Sequence, residues 1–229
     1  MQLGPKRHNV VPMLGTLRQG ALALVVVLAL DGCGGSPETT SDTSTDHSSG
    51  QTISVAGASA QRWGEGDYGV VLAHGAAFDA ASWETQAVAI ANQGASVIAV
   101  EDVDTETIGG AVKQLQDEGL ANVALVGASA GADTILDLAS QDPELADQLI
   151  LLSPNATVEG LGEEPKLFVA SKDEPVAHVS TELAASSPGE ENVVMILPGS
   201  AHAQNIFATD QAGPVLDAML QRLKRFAGP

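Results

Sequence analysis

The sequence predicts an α/β fold in which a mostly parallel sheet carries helices on both of its faces. Three observations favour this fold. Apolar runs of strand length recur along the chain, amphipathic segments of helix length separate them, and the two alternate six times between residues 68 and 226. The chain has 229 residues, of which 44% are hydrophobic, so it can bury one sizeable core and we expect a single globular domain.

The predicted strands are short runs rich in valine, isoleucine and leucine. A strand that is buried on both faces needs apolar side chains on both sides, so its sequence shows no strict alternation of polar and apolar residues. Six runs have this character: "YGVVLA" at 68–73, "SVIAV" at 96–100, "NVALVG" at 122–127, "QLILLS" at 148–153, "KLFVA" at 166–170 and "VVMIL" at 193–197. They predict a central sheet whose strands are mostly parallel.

The predicted helices lie between these runs and show the spacing of one apolar helix face. Ile108, Val112 and Leu115 recur at intervals of four and three residues, and Gly119 ends that pattern. A second apolar pattern covers 135–139, after the third strand run. The widest apolar stripe lies near the C-terminus and comprises Val215, Leu216, Met219, Leu220, Leu223 and Phe226.

Only a short connection joins the fourth and fifth predicted strands. It is the twelve-residue segment "PNATVEGLGEEP" at 154–165, which is rich in proline, glycine and glutamate. Such a segment is too short and too polar to fold as a packed lid, so we predict no cap domain.

The N-terminus has the composition of an export signal. Lys6, Arg7 and Arg18 precede the apolar run "ALALVVVLAL" at 21–30, which is too short to span a bilayer but fits the core of a signal peptide. The following "LDGC" resembles the Leu-x-Gly-Cys box of bacterial lipoprotein signals, in which the cysteine, here Cys33, receives lipid. An aspartate stands where that box usually has a small residue.

These features predict three segments: a lipoprotein signal peptide at 1–32, a flexible Ser/Thr-rich tether at 33–52 and the globular domain at 53–229. Cys33 is the only cysteine and has no disulfide partner within the chain, which lipidation would account for. We therefore expect an extracytoplasmic protein that is lipid-anchored to the cell membrane, with a plainly secreted protein as the alternative. Translation could start at Met1 or at Met13.

The charge and the motifs of the chain argue against several classes of partner. A net charge of −19 opposes nucleic acid binding. The sequence holds neither a His-Glu-x-x-His zinc motif nor a glycine-rich phosphate loop with lysine, so we expect no metal and no cofactor. Asp102, Asp104 and Glu106 alternate as in a calcium loop, but Lys113 stands where that loop needs glutamate, which favours a solvated loop.

The tetrapeptide Gly-Ala-Ser-Ala occurs twice, around Ser59 and around Ser129. Ser129 follows the third strand run and precedes a helix pattern, and Gly127 and Gly131 leave room for a sharp turn between them. A serine on such a turn is exposed above the sheet edge as a nucleophile. Ser59 lacks the second glycine and precedes the first predicted strand, so Ser129 is the candidate nucleophile.

A nucleophilic serine needs a base, and three histidines lie in the predicted domain. His178 falls in a helix pattern at the surface, and His74 ends an early strand, where a structural or oxyanion-loop role is more natural. His202 follows the last strand run and precedes the final helix, so it is the favoured base.

Four segments together resemble the alpha/beta hydrolases, in particular small cap-less members similar to dienelactone hydrolases and simple esterases. They are "VVLAHGAAFDAASW" for the oxyanion strand and loop, "VALVGASAGAD" for the nucleophile turn, "PKLFVASKDEP" for the acid turn and "LPGSAHA" for the histidine loop. The resemblance extends from about Tyr68 to Phe226 and implies the alpha/beta-hydrolase fold. The family's first strands are shortened here to "TISVAGASAQRW".

The resemblance also implies a Ser-acid-His triad, with Ser129 as nucleophile and His202 as base. Backbone amides of Ala130 and Ala76 would bind the oxyanion. Counting along the strand favours Glu174 as the acid, and the neighbouring Asp173 is the alternative.

This combination predicts a serine hydrolase that cleaves small carboxylic esters through an acyl-enzyme. Two alternatives remain open from the sequence. One is a catalytically silent hydrolase fold that serves as a binding module, and the other is a thioesterase or peptidase with the same triad.

Overall fold

The computed structural model of the chain describes residues 49–228. The predicted signal peptide, Cys33 and most of the predicted tether lie outside the described residues. The first strand begins at Gln51, inside the segment predicted as tether.

The core of the described chain is one eight-stranded sheet in the order β1-β2-β4-β3-β5-β6-β7-β8. The strands from β3 onward pair in parallel, whereas β2 pairs antiparallel with both β1 and β4. The strands are β1 (Gln51–Val55), β2 (Ala58–Trp63), β3 (Tyr68–Ala73), β4 (Ala95–Val100), β5 (Val123–Ala128), β6 (Gln148–Leu152), β7 (Lys166–Ser171) and β8 (Asn192–Leu197). The predicted mostly parallel α/β sheet is confirmed.

Helices cover both faces of this sheet, as predicted. The described residues form the α-helices α1 (Glu84–Ala91), α2 (Thr105–Asp117), α3 (Ala130–Gln141), α4 (Ala177–Ser186) and α5 (Ala212–Phe226), and short 3₁₀ helices span Ala80–Trp83 and Ala203–Ala208. One apolar cluster packs α1 and α5 against the sheet through residues such as Ile90 and Met219. A second cluster packs α2, α3 and α4 through Ile108, Ile135 and Leu183.

The central strands explain why the apolar runs are continuous. Every residue of β3, β4, β5, β6 and β7 is buried, because helices cover both sides of each strand. The edge strand β8 differs, since Val193, Val194 and Ile196 are partly exposed on it.

The hairpin formed by β1 and β2 is not among the six predicted strands. Its turn consists of Ala56 and Gly57, both with positive φ, which suits a tight two-residue hairpin. Few of its residues are buried, among them Val55 and Ala60, so its sequence shows no long apolar run. Ser59 therefore lies within β2 and not ahead of the first strand.

The loops at the carboxyl ends of the parallel strands meet at one edge of the sheet. The chain leaves β5 at Ala128, β7 at Ser171 and β8 at Leu197 along this edge. The segment 153–165 after β6 forms neither helix nor strand, so no cap is inserted there.

Candidate active site

Ser129 occupies a strained turn between β5 and α3. Its backbone has φ 49° and ψ −113°, a region that residues with side chains rarely adopt. A Cβ added to Gly127 would lie 2.7 Å from the nitrogen of Ala132, and one added to Gly131 would collide with the carbonyl of Ala73. The two predicted glycines are therefore what allows the turn to pack this closely.

His202 lies beside this serine, in the loop after β8. Its Nε2 is 2.8 Å from the Oγ of Ser129, and its Nδ1 is 2.6 Å from Oε2 of Glu174. With the ring proton on Nδ1, the imidazole donates to the carboxylate and accepts from the serine hydroxyl. The structure thus brings the favoured nucleophile and the favoured base into direct contact.

Glu174, and not Asp173, is the carboxylate against His202. The Glu174 side chain is fully buried, and its Oε1 accepts hydrogen bonds from the Ser171 amide (2.7 Å) and the Ser153 hydroxyl (2.8 Å). Asp173 is exposed, and its backbone amide donates to the carbonyl of Gly199 at 2.9 Å. Of the two alternatives left by the sequence, the geometry favours Glu174.

Two backbone amides near Ser129 are available to an oxyanion. Ala130 is the first residue of α3, where amides have no partner within the helix and the helix dipole favours negative charge. Ala76 follows Gly75 in the loop after β3. Within residues 49–228, neither amide has a protein acceptor.

The side chain of Gln204 fixes the loop that carries Ala76. Its Oε1 accepts the amide of Gly75 at 2.8 Å, and its Nε2 lies 2.8 Å from the hydroxyl of Ser82. Gln204 is buried and lies two residues beyond His202. It therefore ties the loop after β3 to the histidine loop, a contact that no sequence motif indicates.

Asn155 places a polar group on the rim of the site. Its Nδ2 is 3.4 Å from the Oγ of Ser129 and 2.7 Å from Oδ2 of Asp133, and its backbone amide donates to the other oxygen of Asp133. Asn155 belongs to the segment after β6 and is exposed, so the entrance to Ser129 is polar on this side.

Within residues 49–228, the side chains of the remaining candidates make no hydrogen bond to Ser129, His202 or Glu174, although the carbonyl of His74 accepts the amide of Gly131 in the turn of Ser129. His74 is buried with its ring nitrogens near the carbonyls of Gly75 and Glu101, and His178 is exposed on α4. Within residues 49–228 no group of three or more potential ligand side chains could hold a metal ion. Asp104, one of the acids that resemble a calcium loop, caps α2 by accepting the amide of Thr107.

No protein-family model matches the chain, and no curated protein matches its sequence. Solved structures do match its fold. EstE5, soaked with p-nitrophenyl butyrate, has a TM-score of 0.67 and 15% identity over 79% of this chain and 85% of that one. A predicted CIB-like hydrolase from Thermoplasma acidophilum has a TM-score of 0.59 and 20% sequence identity, and the match covers 77% of this chain and 98% of the hydrolase chain. A soluble variant of a monoglyceride lipase from Saccharomyces cerevisiae has a TM-score of 0.61 and 12% sequence identity, and the match covers 77% of this chain and 95% of the lipase chain.

The fold is that of the alpha/beta hydrolases. The fold implied by the sequence resemblance is therefore confirmed. At sequence identities of 12–20%, these structures show the fold and nothing finer, so the likeness to dienelactone hydrolases stays a prediction. The lipoprotein signal also stays a prediction, because it lies outside the described residues.

Two neighbouring substitutions test which carboxylate acts on His202. Glu174→Gln removes the charge that orients and stabilises the imidazole, and we expect kcat for p-nitrophenyl acetate to fall by about 10⁴-fold. Asp173→Asn is the matched control, because it neutralises an exposed carboxylate and should stay within about threefold of the parent. A crippled Asp173→Asn variant beside an active Glu174→Gln variant would move the acid one residue upstream.

Proposed function

We propose that the chain is a serine hydrolase that cleaves small carboxylic esters through an acyl-enzyme. One observation carries this proposal: the hydrogen-bonded series from Ser129 Oγ through His202 to Glu174, with contacts of 2.8 and 2.6 Å. A binding module needs none of these contacts, so the complete series argues against a catalytically silent fold.

The geometry supports a two-step reaction. In the first step Ser129 Oγ attacks the ester carbonyl, His202 takes the hydroxyl proton, and the amides of Ala130 and Ala76 hold the oxyanion. Collapse of this intermediate breaks the bond to the alcohol oxygen, which receives the proton from His202. In the second step a water molecule gives a proton to His202 and attacks the acyl carbon. The bond from that carbon to Ser129 Oγ then breaks, Oγ takes the proton back from His202, and the carboxylic acid leaves.

The surroundings of Ser129 support small esters as the substrate class. Asn155, whose Nδ2 lies 3.4 Å from the Oγ of Ser129, is exposed and polar, Ala76 is exposed and small, and the segment after β6 forms no helix. Among the matched structures, one is EstE5 soaked with the ester p-nitrophenyl butyrate and one is a monoglyceride lipase. Both names agree with ester chemistry.

The nucleophile is tested by two serines in the same tetrapeptide. Ser129→Ala should lower kcat for p-nitrophenyl acetate by about 10⁴- to 10⁶-fold, because the attacking oxygen is gone. Ser59→Ala removes an exposed hydroxyl from β2 and should leave kcat unchanged. Full activity in the purified Ser129→Ala variant would end the serine-hydrolase proposal.

The open rim predicts a preference for short acyl chains. Each methylene group contributes about 0.8 kcal/mol only where apolar side chains bury it, and the segment after β6 forms no helix or strand that could enclose a long acyl chain. We expect kcat/KM across a series of p-nitrophenyl esters to peak between about C2 and C6. Values that keep rising to long acyl chains would contradict the small-ester assignment.

We also propose that lipid on Cys33 anchors the protein outside the cytoplasm. The support is the basic and apolar N-terminal segment with its Leu-x-Gly-Cys box. Within residues 49–228, no helix is both long and apolar enough to cross a membrane.

The lipid anchor is tested by growing bacterial cells that express the full chain in medium with labelled palmitate, and by measuring the label on the protein and the protein in the membrane fraction. Cys33→Ala should abolish incorporation of the label and remove the protein from the membrane fraction. Label that persists in the variant would show that the lipoprotein interpretation is wrong.

A further inference from the structure

Ser153 is a buried serine that joins two segments of the site. It follows β6 directly, and its side chain has no exposed surface. Its hydroxyl donates to Oε1 of Glu174 at 2.8 Å and accepts the backbone amide of Ala203 at 2.9 Å. Ala203 is the residue after His202, so one hydroxyl contacts both the acid and the histidine loop.

The backbone holds this hydroxyl in a fixed place. The amide of Ser153 donates to the carbonyl of Val169 at 2.7 Å, which ties the residue to β7. Its φ of 49° lies in the left-handed region, which turns the side chain away from the direction of an ordinary strand residue. Pro154 follows and restricts the backbone further.

The carboxylate of Glu174 depends on three donors. Ser171 and Ser153 donate to Oε1, and His202 donates to Oε2. Without the Ser153 hydroxyl, Oε1 keeps only one donor and the amide of Ala203 loses its acceptor. The Glu174 carboxylate and the backbone beside His202 would then lose the one hydroxyl that contacts both, and the Ser171 hydroxyl would still bind the histidine loop through the carbonyl of Ala201.

We propose that Ser153 is a positioning residue that acts through Glu174. Its hydroxyl holds the carboxylate and the backbone beside His202 in one arrangement, so that the imidazole faces Ser129. This inference rests on the proposed serine-hydrolase function and adds a residue that never touches the substrate.

The experiment is a double-mutant cycle of Ser153→Ala and Glu174→Gln, with kcat and KM for p-nitrophenyl acetate and the melting temperature of each variant. Ser153→Ala should lower kcat by about 10- to 100-fold, the value of one hydrogen bond to a charged group, and should leave KM within about twofold. In the Glu174→Gln background the same change should lower kcat by less than about threefold, since the residue through which it acts is already impaired.

A matched control is Ser180→Ala. Ser180 is also fully buried, but its hydroxyl has no hydrogen-bond partner within residues 49–228 and it lies on α4. This variant should keep the parent kcat. If Ser153→Ala does not fold, Ser153→Gly replaces it, because glycine adopts positive φ without strain and also lacks the hydroxyl.

Three outcomes would overturn the proposal. An unchanged kcat in Ser153→Ala would show that the hydroxyl is dispensable. Equal losses of kcat in the parent background and in the Glu174→Gln background, with matching losses of melting temperature, would reduce Ser153 to a purely structural residue. A parent enzyme without esterase activity would overturn the proposed function itself, which the activity of the parent distinguishes from failure of the Ser153 role.

Discussion

The buried carboxylate of Glu174 is the interaction on which the rest of the site depends. An ionised carboxylate removed from water is strongly unfavourable unless hydrogen-bond donors surround it. The donors here come from the end of β6, the end of β7 and the loop after β8. The Glu174 carboxylate can accept hydrogen bonds from all three donors only because the neighbouring strands β6, β7 and β8 end at the same sheet edge. The same arrangement places His202 within hydrogen-bond distance of Ser129.

Backbone strain is concentrated in the same place. Four residues other than glycine have positive φ in the described chain, and three of them, Ser129, Ser153 and Ala203, belong to the site. Such conformations are unfavourable by about 1–3 kcal/mol each and persist only where surrounding contacts hold them. Hydrogen bonds supply those contacts: the amide of Ser129 donates to Leu152, and the amide of Ala203 donates to Ser153. The residues with strained backbone are thus the same residues that the hydrogen bonds of the site hold in place.

The sequence predicted the parts of the fold and site that local patterns determine. Continuous apolar runs indicated the parallel strands, and the position of Ser129 between such a run and a helix pattern distinguished it from Ser59. The acid stayed ambiguous because Asp173 and Glu174 share one turn, and the side chain that turns inward depends on packing against β6 and the histidine loop.

Other parts could not be predicted because they depend on distant contacts. The contacts of Ser153 reach residues 21 and 50 positions away, and Gln204 contacts Gly75 from 129 positions away. No apolar run indicated the hairpin of β1 and β2, because an exposed edge ribbon needs few buried residues. Only the family resemblance, which placed shortened first strands in "TISVAGASAQRW", pointed to strands there.

The most direct measurement of the central claim is the position of a covalent inhibitor adduct. The full-length protein would react to completion with a fluorophosphonate, and peptide mass spectrometry would locate the modified residue. Because only a serine activated by a neighbouring base reacts readily, we expect one adduct per chain, carried by the peptide with Ser129. An adduct on another serine, or ester hydrolysis without any adduct, would show that Ser129 is not the nucleophile.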